Sequence, residues 1–408
     1  MAVRVLLLTQ WFDPEPTFKG LLFARELVKL GIQVEVVTGF PNYPGGGIYP
    51  GYKLRMLQKE VIDGVLVTRV PLYPSHGQSG VGRIINYVSF AAASLFYGLF
   101  LAKRPDVIYA YHPPLTIGFV ASIIRFFRRV PVVYDVQDMW PDTLSATGMF
   151  SNARALKVVS KGCDWVYRSV DHIAVLSPGF RRLLIERGVP EEKIDVIYNW
   201  CAEDTVTRSI GLLPAGFPDT ANFRVLFAGN MGKAQALDSV IEAAKILQSR
   251  AVPVTFIFLG GGVEVTRLQN KAAEEGLQNV VFLPAVPMAE VGDYLSSADA
   301  LLVHLKNDPL FSITIPSKTQ AYMAAGKPIL MAVDGDAAEL VVRSQCGVTA
   351  ESENPKSLVA AVQSLLAMSP EDRLEMAENG RKYYLDHLSL SKGVESFAAI
   401  FRRLAGRK

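Results

Sequence analysis

The sequence predicts an α/β protein made of two doubly wound domains in tandem, and two observations carry that expectation. Short β-branched runs bounded by Gly, Pro or Asp alternate with amphipathic helical segments along the chain, the pattern of parallel strands covered by helices on both faces. The alternation also stops and restarts once, across a Gly- and Pro-rich stretch at 199–222. With 408 residues the chain is long enough for two or three domains with ample cores.

In the first cycle, strands are expected at 3–8, 34–37, 65–70, 107–111, 130–134 and 172–176, with an amphipathic helix over 21–30. In the second, they are expected at 223–227, 254–259, 280–283, 300–304, 328–332 and 347–350, with a helix over 238–247. This gives a first domain over 1–198, a linker over 199–222 and a second domain over 223–389. The last helix follows the second sheet, so 390–408 is expected to pack back on the first domain.

Half of the residues are apolar and a fifth are charged, which indicates a globular chain rather than a disordered one. No low-complexity tract or short repeat appears. The mean hydropathy of +0.22 is high and hints at apolar surface. Cys163, Cys201 and Cys346 lie far apart without metal-ligand spacing and suit a reducing cytoplasm. The opening apolar run, 1–9, reads as a buried strand rather than an export signal. Residues 1–200 hold 22 Lys and Arg against 16 Asp and Glu, whereas 201–408 hold 20 against 23. A basic first half points to an anionic surface or ligand on that side.

Residues 84–102 contain no charge and are followed by Lys103-Arg104, with Arg83 before them. A second apolar run at 115–124 leads into Arg125 and Arg128-Arg129. The first is long enough to span a bilayer, but spanning would tear the strand at 107–111 from its sheet, and Asn86, Ser89 and Ser94 interrupt the run. A helix lying on a membrane surface with a basic rim is the expectation. A fully buried helix is the alternative.

Ligands of doubly wound sheets bind beyond the carboxyl ends of the strands, and two such domains are expected to face one another across a cleft. After the first strand, Lys19 and Gly20 open a helix where Gly20 can admit an anionic ligand and Lys19 can reach it, although Gly at a helix start is common. His112 follows the strand at 107–111, and Asp135 and Asp138 follow the one at 130–134; residues of these types suit hydroxyl-rich ligands. In the second half, Asn230, Gly232 and Lys233 lie in one flexible loop and Gly261 in another. Neither loop has the spacing of a nucleotide-binding fingerprint. The most informative stretch is IPSKTQAYMAAGKPIL at 315–330. Ser317 is the expected N-cap. Behind it, unpaired N–H groups and the helix dipole form a phosphate site beside Lys318, and Gly326 ends the helix. An ordinary αβ unit with a tidy cap has the same signals. Glu339 is a candidate partner for a ribose or sugar hydroxyl, or simply faces solvent.

Taken together, KG at Lys19-Gly20 before FARELVKLGIQVEVVTG, YHPP, VYDVQDMWPD, LSPGF, VIYNW, FAGNMGKAQALD and IPSKTQAYMAAGKPIL resemble family 4 of the retaining glycosyltransferases over nearly the whole length. The stretch TGFPNYPGGGIYPGY is similar to the L-fucosamine (WbuB-type) transferase subgroup of surface polysaccharide assembly. The resemblance implies the GT-B fold of two Rossmann-like domains. It also implies transfer from a nucleoside diphosphate sugar, UDP-linked, to a polyprenyl-diphosphate-linked saccharide in O-antigen or capsule assembly. That reading needs no metal and no cofactor beyond the donor. It places the chain in the cytoplasm, peripheral on an anionic inner membrane face, and involves no nucleic acid. His112 would contact the donor sugar, and Asp135 or Asp138 would orient the acceptor hydroxyl or take its proton. Lys318 would stabilise the leaving diphosphate, with Lys233 and the helix start. The family's acidic pair aligns with Ile313 and Ala321, and its diphosphate-binding Arg and Lys align with Asn230 and Gln235, so this chain departs from the pattern at all four positions. A nucleotide-sugar 2-epimerase of the same architecture and a non-catalytic sugar-nucleotide-binding relative are the alternatives.

Overall fold

The alternating runs form two parallel sheets in a computed structural model, which describes residues 2–75, 80–146, 152–207 and 211–406. The chain divides into one unit of Met1–Tyr198 with Leu390–Lys408 and a second of Asn199–Ser389. The stretch expected as a linker therefore belongs to the second unit, where it includes a short helix, Glu203–Val206. That helix is held by Tyr384, whose hydroxyl donates to Glu203 Oε1 at 2.8 Å. Residues 208–210 of the expected linker, and 407–408 of the expected terminal helix, lie outside the described residues.

The first unit holds β1 (Arg4–Leu8), β2 (Gln33–Gly39), β3 (Gln58–Ile62), β4 (Val65–Val70), β5 (Val107–Tyr111), β6 (Val132–Val136), β7 (His172–Val175) and β8 (Ile194–Val196), in the order β3-β4-β2-β1-β5-β6-β7-β8. Every residue of β5 and of β6 is buried, as central strands covered on both faces require. Two strands were not expected. One, β8, is a three-residue edge. The other, β3, is antiparallel to β4, with Ile62 opposite Val65. Asp63 and Gly64 between them have φ of 49° and 82°, the mirror-image turn whose twist matches a two-residue hairpin.

The second unit holds β9 (Phe223–Ala228), β10 (Val254–Leu259), β11 (Val280–Leu283), β12 (Ala300–His304), β13 (Ile329–Ala332) and β14 (Gly347–Thr349), in the order β11-β10-β9-β12-β13-β14. Its core joins Val225, Phe227, Phe256 and Phe258 to Val240, Ala244 and Leu247 of the helix Asp238–Ser249. In each unit the strand order reverses once, between β1 and β5 and between β9 and β12. Loops leaving such a pair diverge and open a crevice at the carboxyl ends.

The terminal helix Leu390–Ala405 is part of the first unit. It buries Phe397 and Phe401 edge-on against Tyr109 at ring distances of 5.2 and 5.6 Å. Phe397 also meets Phe23 of α1 (Leu21–Lys29) at 5.4 Å. Such aromatic pairs contribute about 0.5–1.5 kcal/mol each beyond their buried area.

The uncharged run forms α2 (Gly80–Phe96), continued by a π-helical turn, Tyr97–Leu101. Its orientation inverts that of a soluble amphipathic helix. Asn86, Phe90 and Ser94, four residues apart, face the unit, while Ile84, Ile85, Val88 and Phe96 are exposed and Phe100 is 70% exposed. The buried amides explain the inversion. Asn86 accepts from Gln10 Nε2 and donates to the Tyr73 carbonyl at 2.7 Å and to Asn42 Oδ1 at 3.3 Å. At the other end, the Tyr97 hydroxyl donates to Glu35. The fully buried alternative does not hold. Phe126 and Phe127, at the end of α3 (Thr116–Arg128), are also exposed.

Candidate functional site

The helix Ser317–Ala325 starts directly after Pro316, whose extended backbone (φ −59°, ψ 137°) occupies the flanking position, and no side chain caps it. Ser317 is thus the first helical residue and is exposed, which corrects its expected role as cap. The N–H groups of Ser317 and Lys318 have no intrahelical partner, as at any helix start, and no side chain caps them, whereas Thr319 N–H already donates to the Pro316 carbonyl at 2.9 Å.

Lys318 lies one residue further on. Its ammonium stands 3.3 Å above the centroid of the Phe227 ring, and Nζ is buried with no hydrogen-bond partner among the described residues. Burial pushes its pKa down to about 7. The ring face supplies cation–π attraction but no acceptor, so three donors of a buried cation go unused. Such a group is costly unless an anion arrives. Two features position it. Tyr322, one turn along the same helix, accepts from the Ala228 N–H at 3.0 Å and so fixes the helix to the end of β9. Gly229 leaves the room: a Cβ there would lie 3.0 Å from Lys318 Cε and 3.3 Å from Nζ.

The two Gly-containing loops beside Lys318 are zipped together by backbone bonds. Gly229 N donates to Leu259 O at 2.8 Å, Met231 N to Gly261 O at 2.7 Å and Glu264 N to Met231 O at 3.1 Å. This close approach accounts for two glycines. A Cβ on Gly260 (φ +141°) would lie 2.1 Å from Gly229 O, and one on Gly262 (φ +144°) 2.3 Å from Met231 O. Gly261 has nothing within 4 Å of its Cβ position. Gly260→Ala should therefore lower stability by about 2–4 kcal/mol through clash and strain, while Gly261→Ala leaves it within about 1 kcal/mol. Denaturant melts of the two variants check the difference.

Asn230 and Lys233 are exposed on this loop. Gly232 N donates to Gln235 Oε1 at 2.9 Å, and His304 holds the turn from below. His304 Nδ1 donates to Gln235 O at 2.6 Å, and Nε2 accepts from Ser239 at 2.8 Å. Burial lowers the His304 pKa, consistent with a neutral ring in that tautomer. Lys233 lines a cavity of about 400 Å³ with Gly232, Asp238, Glu264, Arg267 and Glu353. Lys318 is not among its lining residues, and three carboxylates share the space. Glu339 is exposed in the first turn of the helix Asp336–Arg343, where a carboxylate favours the dipole. Gly335 at that helix start approaches the Ser312 carbonyl so closely that a Cβ would lie 2.1 Å away.

The remaining expected residues belong to the first unit. Lys19 is fully buried, 4.0 Å from Asp135 Oδ2 and 5.4 Å above the Phe397 ring. Burial pushes its pKa down to about 8 and Asp135 pulls it back up. Gly20 starts α1, but Asp13 already accepts from the Leu21 N–H at 2.6 Å, and a Cβ on Gly20 would lie 2.2 Å from that carboxylate. The anion expected near Lys19 and Gly20 is thus supplied by the protein itself. Asp135 is likewise committed, accepting from the Tyr109 hydroxyl and from Gln137 Nε2 at 2.7 Å. Burial raises its pKa. These contacts hold the Asp135 carboxylate beside Lys19. Asp138 differs: it is half-buried, burial raises its pKa, and its carboxylate makes no hydrogen bond among the described residues. His112 is buried edge-on to Trp140 at 5.3 Å and to Tyr134 at 5.8 Å. Burial pushes its pKa down to about 3, so it stays neutral near pH 7, and Nδ1 is buried without a partner among the described residues. Phe227 and Gly229 lie within FAGNMGKAQALD and Tyr322 within IPSKTQAYMAAGKPIL, but nothing in either run signalled that the two pack against each other, and His304 lies in none of the quoted motifs.

Residues 21–200 match the model of the glycosyl transferase 4-like domain, and residues 215–383 that of glycosyl transferases group 1. WcaI of Escherichia coli K12, whose name places it in colanic acid biosynthesis as a glycosyl transferase, is 26% identical over 378 residues, 88% of this chain and 90% of that one. WbjE of Pseudomonas aeruginosa, also named as a glycosyltransferase, is 24% identical over 74% of this chain and 76% of its own. Among solved structures, sucrose-phosphate synthase from Thermosynechococcus elongatus superposes with a TM-score of 0.73 at 15% identity, covering both chains completely. Anabaena HepE in complex with UDP and glucose superposes at 0.68 and 18% identity, covering 98% of this chain and 99% of that one.

Proposed function

The chain is a glycosyltransferase with the GT-B fold, and we propose that it moves a sugar, with retention at the anomeric carbon, from a UDP-sugar to a polyprenyl-diphosphate-linked saccharide in O-antigen or capsule assembly. The observation that carries the donor half is the partnerless ammonium of Lys318 at an uncapped helix start. When the bond between the anomeric carbon and the leaving oxygen breaks, the electron pair stays with the diphosphate. The Lys318 ammonium and the N–H groups of Ser317 and Lys318 receive that charge at little reorganisation cost. The complexes of HepE with UDP support UDP as the base carrier. WcaI's assignment to colanic acid supports a surface polysaccharide.

Acceptor activation falls to Asp138, which orients the attacking hydroxyl and accepts its proton. A raised carboxylate pKa brings it nearer the working pH of a general base. With Ala321 where the family carries an acid, ribose recognition falls to other groups, Glu339 among them. Incubating the protein with UDP-, GDP- and dTDP-sugars and a detergent extract of polyprenyl-linked saccharides tests the reading. Acceptor-dependent release of UDP is the expected result; nucleotide release that ignores the acceptor would favour an epimerase.

The second half of the proposal is location: the inner face of the cytoplasmic membrane, held by the outward apolar face of α2 with the basic residues near its ends. Full burial of a large apolar side chain contributes about 1.5–3 kcal/mol, so several such residues suffice for peripheral binding. The protein should float with liposomes containing anionic lipid, and Val88→Ser with Phe100→Ser should release it. Flotation unchanged by both substitutions would remove the claim.

A further inference from the structure

Three half-buried rings meet on the carboxyl side of β1 and β2. Trp11 and Tyr43 stand 4.8 Å apart at 33°, and Trp11 and Tyr87 stand 6.5 Å apart at 70°. They come from three segments: the loop after β1, the loop after β2 and the first half of α2. Each is held in place. Glu15, itself buried, accepts from the N–H groups of Asn42 and Tyr43 at 2.7 and 2.8 Å. The Trp11 carbonyl accepts from Thr9 at 2.8 Å. Tyr87 follows Asn86, whose amide joins α2 to Gln10, Asn42 and Tyr73. Within that buried amide cluster, Gln10 Oε1 has no partner among the described residues.

Tyr87 also belongs to the helix whose exposed side carries Ile84, Ile85 and Val88. Arg83, one turn earlier, acts electrostatically on the Tyr87 hydroxyl. The stretch from 80 to 101 contains no Asp or Glu. One short span thus offers an apolar strip, one cation and a set of half-buried aromatic rings backed by a buried amide cluster.

We infer that Trp11, Tyr43 and Tyr87 form the platform for the saccharide of an amphiphilic acceptor, with Arg83 taking its diphosphate and the outer face of α2 its hydrocarbon chain. The assignment of that acceptor class rests on the transfer reading above. A pyranose has an apolar C–H face that stacks on aromatic rings, and hydroxyls at its edge that stay hydrated. The fixed rings cost little to order on binding. A nucleic acid would need many cations here, and the stretch from 80 to 101 carries one.

Calorimetric binding of two soluble probes, hexyl diphosphate N-acetylglucosamine and hexyl diphosphate without the sugar, tests the platform without requiring turnover. The native protein should bind the sugar-bearing probe more tightly. Tyr87→Leu and Trp11→Leu should each weaken that probe roughly tenfold, leaving the sugar-free probe and UDP unchanged, and Tyr87→Phe should retain binding. Equal binding of the two probes by the native protein, or sugar-probe affinity unaltered in both Leu variants, would overturn the inference. Failure of the native protein to bind UDP would instead count against the donor site, and the probe comparison would stand.

Discussion

Lys318→Met is expected to cut turnover by about two to three orders of magnitude while raising thermal stability. The kinetic loss follows from removing a preorganised donor to developing charge, worth about 2.7–4 kcal/mol. The gain follows from the same burial: a cation with no acceptor, over a ring 3.3 Å away, is replaced by an apolar chain of similar length, and relief of about 1 kcal/mol raises the melting temperature by a few degrees. The folded-state pKa of about 7 lies below the ordinary 10.5. Between those values the unfolded chain holds the extra proton, so Lys318 makes stability climb as pH rises through that window and weighs on it fully below pH 7. The stability gap to the Met variant should therefore be widest at low pH. Donor affinity runs the other way, because the protonated form binds the diphosphate. UDP binding to the native protein should weaken as pH rises above 7, and in the Met variant this dependence should flatten. Steady-state kinetics, calorimetry and melts across pH 6–9 read all three.

The second large effect separates two neighbouring carboxylates. Asp138→Asn should lower turnover by about 10²–10⁴, the range for a positioned general base, with little change in melting temperature. Asp135→Asn should do the reverse. It leaves the fully buried Lys19 beside a neutral amide, and breaking a buried pair costs about 3–5 kcal/mol. A kcat loss in Asp135→Asn without destabilisation would reassign the roles.

Much of this was legible in the residues. The alternation of strand and helix placed most of both sheets, because β-branched runs between Gly and Pro leave few other solutions. The hairpin of β3 was missed although Asp63-Gly64 signalled it, because Gln58–Ile62 is too polar to read as a strand outside an edge. Lys318 was legible as a candidate, but Phe227 beneath it was not, since nothing local links a helix start to a strand 91 residues earlier. Ser317 was misread as a cap because side-chain type favoured it; the backbone of Pro316 already filled the position. Lys19 and Asp135 looked like ligand-facing residues because their mutual burial is a long-range fact. The inverted face of α2 was hidden in the same way: composition showed a helix without charge, and only the amide partners of Asn86 decide which side faces out.

The central claim is that the Lys318 ammonium receives the donor's diphosphate. The most direct measurement is the pKa of Lys318 itself, read from its ¹³Cε resonance in protein labelled at lysine and assigned with the Met variant. Without nucleotide it should titrate near 7, and saturating UDP should raise it by a unit or more, the signature of an opposite charge at contact. A Lys318 resonance that titrates at the same pH with and without bound UDP would contradict the account.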